Sequence, residues 1–443
     1  MKQVSVDFAA PSCGAVRPLH GVNSGPMTKV FTYDARPQFL EAGFPFARLH
    51  DVEYPYGSGE FVDIPCIFRD FEADETKPES YNFALTDLYI AACVEVGAEP
   101  LFRLGVSIEH APVKRHIFPP KDFGKWARVC EHIIRHYTEG WADGFHYNIR
   151  YWEIWNEADG GSRNQWQGTP EQFYELYCVA ATHLKQCFPH LKIGGCGFTT
   201  AHNAFIEGFF KYITAKPTRV PLDFYSWHRY YSDMAALVKH VALADDLLQR
   251  YGYAEAESVF DEWNYMENWH DQPASYKKLV SHVGASHAAA TLAYLQSSTR
   301  VAVANYFEAD VVKEWCGIFE VEDMRIGISG KATVKPRPAF YAFEAFNRLY
   351  RMGAALPTIA VGEGVYATAA KGEGKAGLLL SHYASEAAEM KVDLAGLGGK
   401  PVAVYVVDAT HRFEKTLTLA ATDHATLTLP MQPFSFAYIA IEA

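Results

Sequence analysis

At 443 residues, 49% of them apolar and 14% aromatic, the chain has material for one large folded domain and a small one beside it. A net charge of −12, with no basic run, excludes a nucleic-acid partner, since phosphate binding needs clustered Lys and Arg. No window approaches a membrane span, and Met1 to Phe8 lacks the apolar core of a signal peptide, so the expected location is cytoplasmic.

Val4–Phe8 alternates like a short strand that Pro11-Ser-Cys-Gly14 ends. A strand-then-helix rhythm follows. Strands are predicted at Leu19–Asn23, Phe46–Asp51, Pro100–Val106, Tyr151–Glu157, Lys192–Thr199, Asp223–Tyr230, Val259–Asn264 and Val301–Glu308. Helical patterns lie between them at Arg36–Ala42, Leu85–Val96, Phe123–Tyr137, Glu171–Gln186, Ala204–Ile213, Met234–Tyr251 and Tyr276–Ser297. A last helix, Ala339–Arg351, follows Lys335-Pro-Arg-Pro338. Eight such repeats predict an α/β fold, a (β/α)8 TIM barrel over residues 16–351. A doubly wound open sheet is the competing architecture, but no Gly-rich phosphate loop follows the first strand. After Met352 the pattern changes to short alternating segments with Gly and Asp at the turns: Tyr366–Ala370, Ala376–His382, Met390–Leu394, Val402–Val407, Leu417–Ala420, Thr426–Leu429 and Phe434–Ile441. These predict an accessory antiparallel β-sandwich over 352–443, completed by the N-terminal strand within 1–15. The eight cysteines have no paired spacing, which suits buried free thiols in a reducing compartment.

The stretch Arg150-Tyr-Trp-Glu-Ile-Trp-Asn-Glu157 reads as a buried strand ending in an amide and a carboxylate. The pattern returns in Glu257-Ser-Val-Phe-Asp-Glu262-Trp-Asn-Tyr265. In a TIM barrel the C-terminal strand ends share one rim, and the fourth and seventh strands face each other across it. Glu157 and Glu262 therefore converge on one substrate, as the two carboxylates of glycosidic bond cleavage do. The acid needs apolar walls, for which Trp152 or Trp155 stands near. The nucleophile needs donors such as His228, Tyr230 or Asn264. Glu153, sharing the parity of Glu157, is read as an ion-pair partner of Arg48 or Arg103 inside the barrel, and Asp261 as facing away from Glu262. Trp263, Trp269 and Trp315 are open to either loop packing or sugar stacking.

Several segments in order resemble glycoside hydrolase family 39, which includes β-xylosidases and α-L-iduronidase. Arg48-Leu-His50 is similar to the family's second strand, Trp152-Glu-Ile-Trp-Asn-Glu157 to its acid/base motif, and Asp223-Phe-Tyr-Ser-Trp-His228-Arg-Tyr230 to its sixth strand. Asp261-Glu262-Trp-Asn264 resembles the nucleophile segment. The resemblance implies a retaining, β-xylosidase-like exo-enzyme with Glu157 as acid/base and Glu262 as nucleophile. It implies sugar-binding roles for His50, Asn156, His228, Tyr230, Tyr306 and Glu314, a glycoside as partner, and neither cofactor nor metal. It also admits a homo-oligomer, since tetramers occur among the relatives. Ala158 stands where Pro is usual, Asp261 where Thr is common and Tyr306 where Trp is frequent. These departures leave the sugar open, with α-L-arabinosides, uronides and microbial glycans as alternatives to β-D-xylosides. For a uronide, Arg229 and Lys313 are the candidate cations.

Other readings fare worse. His20-Gly-Val-Asn23 lacks the His-x-His of a metal-dependent amidohydrolase, and in Glu131-His132-Ile-Ile-Arg-His136 the Glu precedes the histidine pair. No predicted strand ends in the Lys that a Schiff-base aldolase requires. A carbohydrate-binding barrel that has lost catalysis would have no reason to keep both glutamates.

Overall fold

The computed structural model describes residues 2–27, 33–52, 60–109, 112–160, 165–310, 316–321 and 334–441. Its centre is a closed barrel of eight parallel strands: Gly21–Asn23, Phe46–Leu49, Glu99–Leu104, Tyr151–Ile154, Lys192–Phe198, Phe224–Tyr231, Glu257–Tyr265 and Val303–Tyr306. The eighth closes on the first through Asn305↔Gly21 and Tyr306↔Val22. Glycine is needed at position 21 because a Cβ there would collide with Asn305 Oδ1.

The strands are apolar on both faces because both are covered. Outward residues such as Phe102, Trp152, Trp227 and Phe260 pack against the surrounding helices. Inward, Phe46, Leu101, Tyr151, Phe224, Val259 and Val303 plug the lower barrel. Two residues further along those strands stand Arg48, Arg103, Glu153, Ser226, Asp261 and Asn305, all buried. A polar storey thus sits on an apolar one, and the functional rim lies above it.

The helices start where side chains cap them. Asp122, Asn203 and Asp233 accept from backbone N–H groups of their first turns, and Thr169 forms a reciprocal capping box with Gln172. The helix expected at Tyr276–Ser297 is two helices, Gln272–Leu279 and His282–Ser298, because Ser281 caps the second through Val283 N. His282–Ser298 is buried nearly all round, since the barrel lies on one side and a second sheet on the other.

That second sheet has nine strands among the described residues and is mainly antiparallel. Its order is Thr358–Val361, Lys2–Asp7, Ala388–Val407, Ser435–Ile441, Lys375–His382, Val365–Gly372, Ala354–Leu356, Gly14–Ala15, with Arg412–Met431 pairing to Ala388–Val407. Four short strands expected between Met390 and Leu429 are thus two strands of 20 residues each. A kink at Gly396, Gly398 and Gly399, all with positive φ, had the look of a turn. Lys2–Asp7 pairs in parallel with Met390–Ala395 and antiparallel with Thr358–Val361. One side of this sheet encloses a core of its own around Val4, Leu378, Val392, Leu429 and Ile439. The other joins the main core through Leu379, Phe436 and Tyr438. No helix among the described residues is long and apolar enough to cross a membrane. All eight cysteines are free thiols, five of them buried.

Candidate active site

The fourth strand ends at Ile154, and Trp155 and Glu157 then adopt left-handed φ values of 73° and 46°. These two turns interrupt the strand's alternation and bring Asn156 and Glu157 to the same rim. Trp155 goes outward, between Trp126 and Trp166. Trp152 also faces outward and stacks on Phe102. The apolar walls expected around Glu157 are therefore absent from these two rings, and its neighbours are polar. His228 Nδ1 lies 2.9 Å from Glu157 Oε1, and Gln165 Nε2 donates to Oε2 at 3.1 Å.

On the seventh strand the pairing with the sixth slips by one residue between Phe260 and Glu262. Phe260 stays outward, stacked on Trp227, while Glu262 pairs with His228 and turns inward. Asp261 is the extra residue of this bulge. Strict alternation from the inward Val259 would have turned Asp261 inward and Glu262 away; the bulge instead keeps both in the same charged cluster, with Asp261 Oδ2 3.2 Å from Arg48 Nε and Oδ1 3.4 Å from His228 Nε2.

Glu157 and Glu262 come face to face. With His228 they offer three ligand-type atoms that all lie within 4.8 Å of one another. His228 Nδ1 stands between the carboxylates, 3.7 Å from Glu262 Oε2. Tyr230 donates to Glu262 Oε1 at 2.8 Å, and Arg48 Nη1 to Oε2 at 3.1 Å. Arg48 is fully buried and is the hub of the floor below. Its Nε contacts Glu153 at 2.8 Å, and its other nitrogens reach Asn23 Oδ1 at 3.1 Å and Asn156 Oδ1 at 2.6 Å. Arg103 is engaged elsewhere, with Asp63 and Ser107. Gly197, at φ +53°, backs the hub: a Cβ there would sit 2.9 Å from Arg48 Nη2 and 3.1 Å from Glu153 Oε1.

Burial sets the electrostatics. It raises the Glu262 carboxyl above its ordinary value; His228 and Arg48 pull it back and Glu157 pushes it further. It also raises Glu153, against the nearby charge of Arg48. Burial alone would raise Asp261, but Arg48 and His228 overcome it and hold that carboxyl low. His228 would be lowered by burial, yet the carboxylates of Glu262, Asp261 and Glu157 lift it well above the ordinary imidazole value. Tyr230 is pushed up by burial and then by Glu262, so it stays a donor. A divalent cation could reach Glu157, His228 and Glu262, but it would face the Arg48 charge at Glu262 and displace the Glu157–His228 hydrogen bond.

Of the residues named from sequence, Glu157, Glu262, His228, Tyr230 and Asn156 meet here. His50 stands beside them, its Nε2 3.5 Å from Asn156 Nδ2. Tyr306 does not: its ring packs between Trp263 and Phe343 at 5.1 and 5.2 Å, in the layer between barrel and helices. Position 306 takes the outward parity of its strand, so the expectation of a sugar contact there is corrected. Trp263 is core for the same reason, and Arg229, opposite Trp263 in register, shares that face. Glu314, Lys313 and Trp315 lie outside the described residues. Trp269 is 40% exposed with its ring centroid 5.2 Å from that of Tyr230, which makes it the described Trp available to a sugar at this rim. Sequence reasoning missed Gln165, buried and bonded to both Asn156 and Glu157, and gave Arg48 only one of its contacts. The run of inward polar residues one pleat above an apolar layer was the signal for Arg48; Gln165, on an irregular loop, offered none.

Comparison with known proteins points the same way. Residues 40–351 match the family Glycosyl hydrolases family 39. The chain is similar to a β-xylosidase of Geobacillus stearothermophilus, 28% identical over 190 residues covering 40% of this chain and 36% of that protein. A β-xylosidase of Caldicellulosiruptor saccharolyticus is 30% identical over 205 residues, 44% and 38% of the two chains. Each match thus spans little more than a third of the relative. Among solved structures, a glucosidase from Croceicoccus marinus superimposes with a TM-score of 0.80 at 23% identity, over 100% of this chain and 99% of that one. A β-xylosidase from Caulobacter crescentus gives 0.70 at 16% identity, over the whole of both. At these identities the structural likeness speaks for the fold alone.

Proposed function

The chain belongs to glycosyl hydrolase family 39, and from that premise we propose that it is a retaining O-glycosyl hydrolase, β-xylosidase-like and exo-acting. The observation that carries this reading is the meeting of Glu157 and Glu262, one oxygen of each within 4.8 Å of the other. Retention calls for carboxyl groups about 5–5.5 Å apart, and inversion for about 6.5–9.5 Å, which leaves room for a water. The sugar class rests on the two β-xylosidases to which the sequence is similar.

In the first step a Glu262 oxygen attacks the anomeric carbon while the bond to the departing oxygen breaks and Glu157 gives that oxygen its proton. Tyr230 and Arg48 hold the attacking carboxylate by a hydrogen bond to each oxygen. In the second step Glu157 takes a proton from water, the resulting oxygen attacks the same carbon, and the ester bond to Glu262 breaks.

His228 gives the acid its proton supply. An ionised Glu157 beside imidazolium and a protonated Glu157 beside neutral imidazole contain the same number of protons. Asp261, facing Nε2, fixes that nitrogen as the one that keeps its hydrogen in either form. The proton can therefore lie on Glu157 when the bond breaks without any being taken from solvent. Asn156 and His50 are assigned to the sugar hydroxyls, and Trp269 to the rim. The eight free cysteines support a cytoplasmic, reducing location.

A panel of nitrophenyl glycosides, with NMR of the first-formed anomer, tests this reading. Turnover of the β-D-xyloside with β-xylose appearing first is expected. An inverted first product would overturn the mechanism, and turnover of only α-L-arabinosides or uronides would overturn the sugar.

A further inference from the structure

On the opposite end of the barrel, helices Phe123–Thr138 and Pro170–Cys187 pack side by side and bring three chemically different ligand groups together. His183 and Cys187 stand one turn apart on the second helix, and Glu131 faces them from the first. His183 Nε2 lies 2.6 Å from Glu131 Oε2, and Cys187 Sγ lies 3.8 Å from the same nitrogen. All three atoms fall within 4.8 Å of one another. We propose that Glu131, His183 and Cys187 form a binding site for one borderline-soft divalent cation of the zinc type, which clamps these two helices.

A Glu–His hydrogen bond on a protein surface is ordinary; the thiol aimed at the same imidazole nitrogen is what sets this cluster apart. Zinc bonded to sulfur at about 2.3 Å and to nitrogen at about 2.0–2.1 Å holds the two about 3.5 Å apart in tetrahedral geometry, close to the spacing here. The Glu131–His183 pair must open by about 0.7 Å, as the cation takes the place of their shared proton. Cys187 gives up its thiol proton and binds as thiolate. Thiolate, imidazole and carboxylate together favour zinc or cobalt over magnesium or calcium.

The surroundings fit a ligand role. Arg135 Nε donates to Glu131 Oε1 at 2.8 Å, which leaves Oε2 turned to the site, the usual outer partner of a ligating carboxylate. The Arg135 guanidinium lies over the Phe188 ring, pairs with Glu139 and also borders Cys187, where its charge favours the thiolate form. With the thiol ionised, Glu131, Glu139 and Cys187 outweigh Arg135 by two negative charges, which a dication balances. Cys187 precedes Lys192, the first residue of the fifth barrel strand, so the site lies at the N-terminal face of the barrel, away from Glu157 and Glu262. Its effect falls on stability, not turnover.

The test uses the full-length protein freed of metal with a chelator, then titrated with Co2+ and, separately, Zn2+. One equivalent of Co2+ should produce a thiolate-to-cobalt charge-transfer band, and saturating Zn2+ should raise Tm by about 3 °C. C187S and H183Q should lose both responses, while C13S, at the exposed cysteine, should keep them. Turnover of a nitrophenyl glycoside should be the same with and without Zn2+. Absence of the band, its survival in C187S, or its loss in E262Q alone would overturn the assignment, the last by moving the ion to the carboxylate pair.

Discussion

Replacing Arg48 with Met tests the floor on which the two glutamates stand. The guanidinium touches Glu153 at 2.8 Å, Asp261 at 3.2 Å and Glu262 at 3.1 Å, and neither it nor the first two carboxylates is exposed. Removing one partner of a buried ion pair costs about 3–5 kcal/mol, because the remaining charge stays desolvated. Unfolding entropy of about 2.1 cal/mol/K per residue over 443 residues makes each kcal/mol worth about 1 °C, so Tm should fall by about 3–5 °C at neutral pH. The deficit should also depend on pH. Burial already raises Glu153 and Glu262, and without the cation they rise further. A carboxyl whose folded value lies above its unfolded one contributes stability that is complete below the unfolded pKa and is lost as pH rises through the folded one. R48M should therefore be nearer to wild type at pH 5.5 than at pH 8, by up to about 3 kcal/mol if one additional proton is held across that interval. R48K keeps a charge but not the fork, so the pH gap should narrow while activity stays low. Urea denaturation at both pH values measures all of this. A deficit below about 1 kcal/mol, or one equal at the two pH values, would refute the electrostatic account.

The other predictions concern the chemistry. E262A should lose activity by several orders of magnitude, with azide partly restoring turnover as an inverted glycosyl azide identified by NMR; near-normal rates would remove Glu262 from the nucleophile role. E157A should be far milder on nitrophenyl substrates than on alkyl glycosides, as kcat/KM with each will report; equal losses would count against general acid catalysis. Tyr230→Phe removes a hydrogen bond to a charged group, worth about 1.5–3 kcal/mol, so kcat/KM should fall about 10–150-fold. In the same pH profile the acid limb, which reports ionisation of the raised Glu262 carboxyl, should move to higher pH, since a donor to the ionised form is gone. Gly197→Ala should lower both Tm and kcat, because a methyl group in a left-handed backbone would press on Arg48; unchanged values would mean that the hub tolerates displacement.

How far the sequence was legible depended on whether a feature is local. The eight barrel strands could be read because covered parallel strands are apolar runs with clear ends, and the meeting of Glu157 and Glu262 could be anticipated because both stand at such ends, where polar residues are costly to bury. Asp261 and Tyr306 failed for different reasons. For Asp261 the alternation rule was applied across a bulge that no pattern in Val259–Trp263 announces. Tyr306 lies in a four-residue strand, Val303–Tyr306, whose inward positions are Val303 and Asn305. The single helix expected at Tyr276–Ser297 hid a Ser cap at position 281 that was available in the sequence. The long strands Ala388–Val407 and Arg412–Met431 were divided because glycines signal turns more often than kinks. Gln165 reaches Glu157 by tertiary placement alone, which a linear reading does not contain.

Lys2–Asp7 is made long before one of its partners, Met390–Ala395. At about 5–20 residues per second, a ribosome needs about 20–80 s to reach that segment. Through most of this interval Val4, Val6 and Phe8 have no layer to enter, because even their nearer partner Thr358–Val361 comes late, while the barrel can already assemble around shorter-range contacts. The nascent chain thus carries a sticky segment that holdase chaperones are suited to cover, and its sealing into the sheet is among the later events of biogenesis.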